Sequence, residues 1–202
     1  MNNGKALSFS SVYDEFYIKI LYYLKRLVGE FEAEEVAQIV FEKISRNLSS
    51  FKGDSKLSTW IYRVATNTAL DRLKSQSFKY SIAGPLAPLP INLPEAEKPV
   101  SSNSRTLDSP DKKAIQNEMS ECVREFVDRL PPDYRTIIVL KDIEGLTNKE
   151  IAEILEISLD SSKIRLHRAR KQLKESLAAG CDFYVDERSV LACDRKQPTP
   201  QK

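Results

Sequence analysis

Between residues 161 and 174 the chain carries Lys163, Arg165, Arg168, Arg170, Lys171 and Lys174, with no acid among them. Clustered cations of this kind suit a polyanion, because each can neutralise a phosphate and release its counterion. The segment just before has the opposite balance, with Lys149 set against Glu150, Glu153, Glu156 and Asp160. A second set lies at Phe51, Lys52, Lys56, Trp60, Tyr62, Arg63, Asn67 and Arg72. Aromatics stack on bases, an amide reads a base edge and cations hold phosphates, so the set suits an unpaired nucleic-acid strand. The same aromatics also suit an ordinary core. A third set is Glu30, Glu32, Glu34, Glu35 and Glu42, with no Lys or Arg between 30 and 42. It reads as a solvated helix start, where acids meet the positive end of the dipole, or as a docking face for a basic partner. The remaining candidates are one histidine, His167, and three thiols, Cys122, Cys181 and Cys193.

The elements that hold these residues read as helices. Val12, Phe16, Ile20, Tyr23/Leu24 and Leu27 recur at helical spacing until Gly29. Ala33, Val36/Ala37, Val40/Phe41, Ile44 and Leu48 form a second stripe, and Trp60/Ile61, Val64/Ala65, Thr68/Ala69 and Leu73 a third. Ser58 or Thr59 is the expected N-cap of the third helix. Further on, residues 115–130 predict a helix that ends at Pro131-Pro132, which opens the next. Ile137, Ile138, Leu140 and Ile143 fill that one until Gly145. Thr147-Asn-Lys-Glu150 is a capping box, and the turn Glu156-Ile157-Ser158 leads into a long helix from Leu159 to about Leu177. Two helices joined by so short a turn make a helix-turn-helix, with all six cations on its second helix, where a major-groove reader needs them. Leu159, Leu166, Ala169, Leu173 and Leu177 predict the buried stripe of that helix, with Ser162 inside it. Asp160, Ile164, His167, Arg168 and Lys171 fall on the other side, where Ile164 can meet a thymine methyl or be an ordinary exposed apolar residue.

The whole chain of 202 residues allows two small domains, and a net charge of +2 names no partner. Six of the ten prolines fall between Pro85 and Pro110, so 76–111 reads as a semi-extended linker between domains 8–75 and 112–178, followed by a tail at 179–202. The fold class expected is all-α. The longest uncharged stretch, Tyr80 to Pro94, holds four prolines, so no membrane insertion is expected. No signal-like segment opens the chain, and three scattered cysteines make no disulfide scaffold, so the cytoplasm is the expected location. No Ser/His/Asp set and no glycine-rich phosphate loop is present, so we expect neither an enzyme nor a cofactor.

Taken together, these segments resemble the extracytoplasmic-function group of bacterial RNA polymerase sigma factors. Glu32-Ala-Glu-Glu-Val-Ala-Gln-Ile-Val-Phe41 resembles that family's core-binding helix. Leu57-Ser-Thr-Trp-Ile-Tyr-Arg-Val-Ala-Thr-Asn-Thr-Ala-Leu-Asp-Arg72 resembles its promoter-opening helix. Leu130-Pro-Pro-Asp-Tyr-Arg135, Leu146-Thr-Asn-Lys-Glu-Ile-Ala-Glu-Ile-Leu155 and Lys163-Ile-Arg-Leu-His-Arg-Ala-Arg170 resemble its second DNA-binding domain. The resemblance implies a non-enzymatic subunit that binds core polymerase and promoter DNA, answers to an anti-sigma factor in some cases, and is a monomer when free. It implies that Glu34, Glu35, Gln38 and Phe41 dock on the polymerase. Asn67 would lie near a flipped minus-ten base, with Trp60, Arg63 and Lys56 supporting the melted strand. Lys163, Ile164, Arg165, His167, Arg168 and Lys171 would face the minus-thirty-five element. Three positions depart from the family's habit: Glu156 stands where glycine is usual, Ser162 where valine is, and Ile164 where serine is. If the turn needs a left-handed residue, Glu156 costs about 1 kcal/mol. The competing reading is a helix-turn-helix regulator that acts without polymerase, but such a protein has no use for the acidic helix followed by Trp60 to Asn67.

The tail holds the one strand-like stretch, with Phe183-Tyr-Val185 and Val190-Leu191 on either side of a polar turn. A three-residue turn at Asp186-Glu187-Arg188 would set Cys181 opposite Cys193. The two cysteines read as small packing residues, as a redox pair, or as part of a soft-metal site. Two thiolates alone fall short of the four ligands that zinc wants, so no metal is expected.

Overall fold

The computed structural model describes residues 8–83, 122–185, 187 and 191–196. Helix α1 spans Phe9–Val28 and α2 spans Glu30–Asn47. Gly29, at φ 86°, makes the corner between them, a conformation open to glycine and strained for other residues. Ser8 caps α1 by accepting the Ser11 N–H. A 3-10 turn at Leu48–Ser50 leads to α3, Leu57–Ala83. The Trp60 N–H donates to the Lys56 carbonyl, so α3 is capped at Lys56 rather than at Ser58 or Thr59, which lie in its first turn. It also continues past the expected linker start at residue 76 to Ala83. The rest of the expected linker, 84–111, and the first part of the helix expected at 115–130 lie outside the described residues.

The second half begins with helix α4, described over 122–128. Pro131 and Pro132 open α5, Pro132–Ile138, which widens into a π-helical turn at Val139–Ile143. Then follow α6, Asn148–Leu155, and α7, Leu159–Gly180. Strands β1, Cys181–Val185, and β2, Leu191–Arg195, form an antiparallel hairpin. The expected all-α architecture with a small terminal hairpin is what the chain adopts.

The apolar stripes of α1 and α2 are buried as their spacing predicts. Val12, Phe16, Ile20, Tyr23, Leu24 and Leu27 face Ala33, Val36, Ala37, Val40, Phe41 and Ile44. α3 closes this core with Ile61, Ala65 and Ala69. The Tyr23 ring meets Tyr62 edge-on at 5.1 Å, and its hydroxyl satisfies Thr66 Oγ1 at 2.8 Å. In the second half Ile137, Leu140, Ile151, Ile154, Leu166 and Ala169 are buried. Leu159, expected in that stripe, is exposed at the first turn of α7. The two sets of buried residues form one continuous cluster. α6 packs on α3, and Arg135 Nη1 donates to the Leu27 carbonyl at 3.0 Å.

Candidate nucleic-acid interface

The helix-turn-helix is built by three local devices. Thr147 accepts the Glu150 N–H, and the Glu150 carboxylate returns the bond to the Thr147 N–H at 2.9 Å, completing the capping box. Glu156 ends α6 at φ 54°, ψ 43°, the left-handed conformation that glycine would adopt without strain. Ser158 then starts α7 by accepting the Ser161 N–H. These devices point one face of α7 outward. Lys163, Ile164, His167, Arg168 and Lys171 are all exposed on it, and Ile164 is 53% exposed. Acids temper some of the cations. Asp160 lies 3.3 Å from Lys163 and Glu175 lies 3.9 Å from Lys171. Arg170 pairs with Asp142, and Arg165 lies half-buried, 4.0 Å from Asp133 of α5. Arg165 is thus turned toward its own domain more than toward the groove face. Ser162 is fully buried, and its hydroxyl has no hydrogen-bond partner among the described residues.

On α3, Asn67 is exposed and Trp60 is half-buried, its ring 5.4 Å from Phe51. Three polar contacts join α3 and its capping residue Lys56 to the second half. Lys56 Nζ donates to Glu150 Oε1 at 2.8 Å, Tyr62 Oη donates to Glu144 Oε2 at 2.6 Å, and Arg63 lies 4.0 Å from Glu156. Glu150 therefore serves two structures at once. The Lys56 bond, followed by the Thr147 backbone bond, lowers its carboxyl to about 2. Burial and the bond to Glu144 push the Tyr62 hydroxyl far above its ordinary value. Tyr62 is 6% exposed, so it belongs to the core between the halves and not to an open strand-binding surface. Arg63 Nε is buried without a partner among the described residues.

The acidic stretch lies on α2, and the cations it lacks come from α1, from α3 and from the last turn of α2 itself. Arg72 of α3 bridges Glu32 and Glu35 at 2.5 and 2.8 Å, Lys25 pairs with Glu30, and Arg46 pairs with Glu42. Glu34 and Gln38 stay exposed. Phe41, expected on the docking surface, is instead 3% exposed, and packs against Tyr13 and Tyr17 at ring distances of 5.0 and 5.6 Å. Ala37 and Ala33, four and eight residues back on the same helix face, are core residues, and the helix leaves Phe41 no outward face. The exposed aromatic on this helix is Phe31, 83% exposed, which no periodicity singled out.

In the tail the hairpin forms with a register different from the expected one. Phe183 pairs with Cys193, and Cys181 with Arg195, so the slip is two residues. A slip of two keeps every side chain on its face, so the two cysteines remain diagonal neighbours. Val190, expected in the second strand, lies outside the described residues.

Two family models match the chain, Sigma-70 region 2 over residues 12–79 and Sigma-70 region 4 over residues 120–173. Among characterised relatives, the ECF RNA polymerase sigma factor SigW of Bacillus subtilis is 33% identical, the alignment covering 88% of this chain and 92% of the relative. The ECF RNA polymerase sigma-E factor of Haemophilus influenzae is 29% identical, over 88% and 91%. Among solved structures, the sigma factor RpoE of Bartonella quintana, crystallised with the anti-sigma factor NepR, superposes with a TM-score of 0.61 at 19% identity. That match covers 84% of this chain and 96% of the other, a likeness of fold.

Proposed function

This chain belongs to the extracytoplasmic-function group of sigma-70 factors, and from that premise we propose how its surfaces divide the work. It is a polymerase-binding subunit that directs core RNA polymerase to promoter DNA. Sigma factors are in general non-enzymatic initiation factors. The exposed face of α7 reads the minus-thirty-five element through Lys163, Ile164, His167, Arg168 and Lys171, with Arg165 bracing it. The exposed edge of α3 captures the melted non-template strand, with Asn67 at the flipped base and Trp60, Arg63 and Lys56 along the backbone. Glu34, Glu35 and Gln38 dock on the polymerase, with Phe31 replacing the buried Phe41 as their apolar neighbour.

The observation that carries this reading is the match of region 2 to the half that holds the acidic helix and α3. A regulator that binds duplex DNA alone needs only the helix-turn-helix. The contacts of Lys56 and Arg63 with Glu150 and Glu156 support one further step. A cation held by a carboxylate is not available to a phosphate, so α6 moves off α3 when the strand is captured. The protein works as a monomer in the cytoplasm, where the polymerase is. Among the described residues no helix is long and apolar enough to cross a membrane. The relative RpoE is described in complex with an anti-sigma factor, and a partner of that class holding the closed form fits the same contacts. The test is co-purification with core polymerase: the wild-type chain is retained and the Glu34→Lys chain is lost. Retention of both overturns the docking face, and retention of neither overturns the polymerase partnership.

A further inference from the structure

All three cysteines of the chain meet at one place. Cys122 comes from the described start of α4, Cys181 from the junction of α7 and β1, and Cys193 from β2. Their sulfurs lie within 4.8 Å of one another, with Cys122 Sγ 3.7 Å from Cys181 Sγ. Cys181 is buried and the other two are half-buried.

The junction is constructed to bring them together. A Cβ at Gly180 would stand 2.5 Å from Cζ of Phe126, so glycine lets the end of α7 lie against the Phe126 ring of α4 without displacing it. Arg195 of β2 pairs with Glu125 of α4, Lys196 N donates to the Gly180 carbonyl at 3.0 Å, and Lys196 Nζ donates to the Ala178 carbonyl at 2.8 Å. Yet the hairpin buries little. Phe183, Tyr184 and Val185 are exposed, and of its described side chains Cys181 and Ala192 are the buried ones. A two-stranded hairpin with so small a core is marginal without a staple.

We propose that Cys122, Cys181 and Cys193 form a trithiolate site for one soft, thiophilic d10 metal ion, which staples the hairpin to α4 and α7. A zinc–sulfur bond of about 2.3 Å places tetrahedral ligand sulfurs about 3.8 Å apart, close to the Cys122–Cys181 separation, and the third sulfur closes in by a small shift. A disulfide between any two would leave the third sulfur without a role. Among the described residues the grouping contains no carboxylate and no imidazole, so the donor set they offer is sulfur alone. Sulfur-only donors select Cu(I), Zn(II) or Cd(II) over oxygen-seeking ions. Cu(I) is satisfied by three thiolates; Zn(II) and Cd(II) take solvent in the fourth position. Burial and the neighbouring thiols push the Cys181 thiol up to about 11. Thiols ligate as thiolates, so binding one ion releases to solvent the protons that the ligating thiols carry. The Arg195 guanidinium beside Cys122 offsets part of the negative charge of the loaded site.

The test uses the full chain, reduced and stripped of metal, titrated separately with Zn(II), Cd(II) and Cu(I). No polymerase or DNA is present, so the result is independent of the promoter function. We expect one ion per chain for at least one of these, a sulfur-to-metal charge-transfer absorption with Cd(II) or Cu(I), and protection of all three thiols from labelling. Cys122→Ser and Cys193→Ser, both at half-buried positions, each weaken binding more than about tenfold, the low end of what loss of even an outer partner costs a metal site, while the helical circular dichroism is kept. Failure to bind any of the three ions, or binding that Cys122→Ser leaves unchanged, overturns the site. Rapid loss of two thiols to an internal disulfide on mild oxidation, without metal binding, would assign the cluster to redox chemistry instead.

Discussion

Lys56 Nζ stands 2.8 Å from Glu150 Oε1, so the cap of the strand-capture helix is tied to the capping box of the helix-turn-helix. The two residues are 94 positions apart in sequence, on opposite sides of the proline-rich stretch. One carboxylate thereby reports both on the start of α6 and on the closeness of the two halves. Lys56 is largely exposed, and an exposed pair contributes little to stability, so its importance lies in what it occupies and not in what it holds.

Removing the acids on α6 should open the strand-binding edge. Glu150→Gln keeps much of the cap but removes the charge that holds Lys56, and Glu156→Gln does the same for Arg63. The double variant should bind a single-stranded minus-ten oligonucleotide more tightly than wild type in an anisotropy titration. Equal or weaker affinity would count against the closed arrangement.

Acid should loosen the same contact. The Glu150 carboxyl titrates lower in the fold, at about 2 against an ordinary 4.5. Its contribution is therefore complete above about pH 4.5 and is lost as pH falls through the window down to 2. Glu150→Gln should flatten the fall in stability across that window in denaturant titrations. An unchanged acid limb would assign the loss to other carboxylates.

Glu156 should be replaceable by glycine at a gain. The left-handed conformation costs a side-chain-bearing residue about 1–2 kcal/mol, and glycine's greater freedom in the unfolded chain returns about 0.4–1 of that. Glu156→Gly should stabilise the protein by between nothing and about 1.6 kcal/mol, read as a shift in the denaturant midpoint. A destabilised variant would show that the Arg63 contact outweighs the strain.

Ser162 should behave in the same direction for a different reason. A buried hydroxyl without a partner costs about 1–3 kcal/mol. Ser162→Ala should therefore leave the protein as stable as wild type or up to about 1 kcal/mol more so. A loss above that size would mean that the hydroxyl has a partner in solution.

The recognition helix should separate affinity from specificity. Lys174→Ala should weaken binding to all duplexes alike and reduce the salt slope by about 0.9, one phosphate contact. Ile164→Ser should shift preference at one base pair by about 1–3 kcal/mol. Titrations at several salt concentrations read the first and a selection over randomised minus-thirty-five sequences reads the second, where an unchanged motif for Ile164→Ser would return Ile164 to being an ordinary surface residue.

Much of this was legible in the residues because the signals were local. The stripes of α1 and α2, the capping box at Thr147 and Glu150, and the turn at Glu156 each depend on neighbours within a few positions. The partnership of Tyr62 with Glu144 and of Lys56 with Glu150 was not legible, because it joins segments 82 and 94 residues apart and no period announces it. The apolar stripe of α2 puts Phe41 in the core, where it lies; the docking role comes from the resemblance, and a helix cannot present one side chain to both faces. The hairpin register differs by two from the expected one because strand alternation fixes the face and leaves the turn length open. Cys122 carried no mark of its meeting with Cys181 and Cys193 until Gly180 and Phe126 brought the helix ends together.

The most direct test of the central claim is run-off transcription with purified core polymerase on genomic promoter fragments, with wild type, Glu34→Lys or no added chain. Glu34 is exposed and free of the Arg72 bridge that engages Glu35, so its reversal disturbs docking and not the fold. The account predicts discrete promoter-specific transcripts with wild type and none with Glu34→Lys or core alone. Transcripts of equal strength with Glu34→Lys, or none with any chain on promoters that it binds, would contradict it.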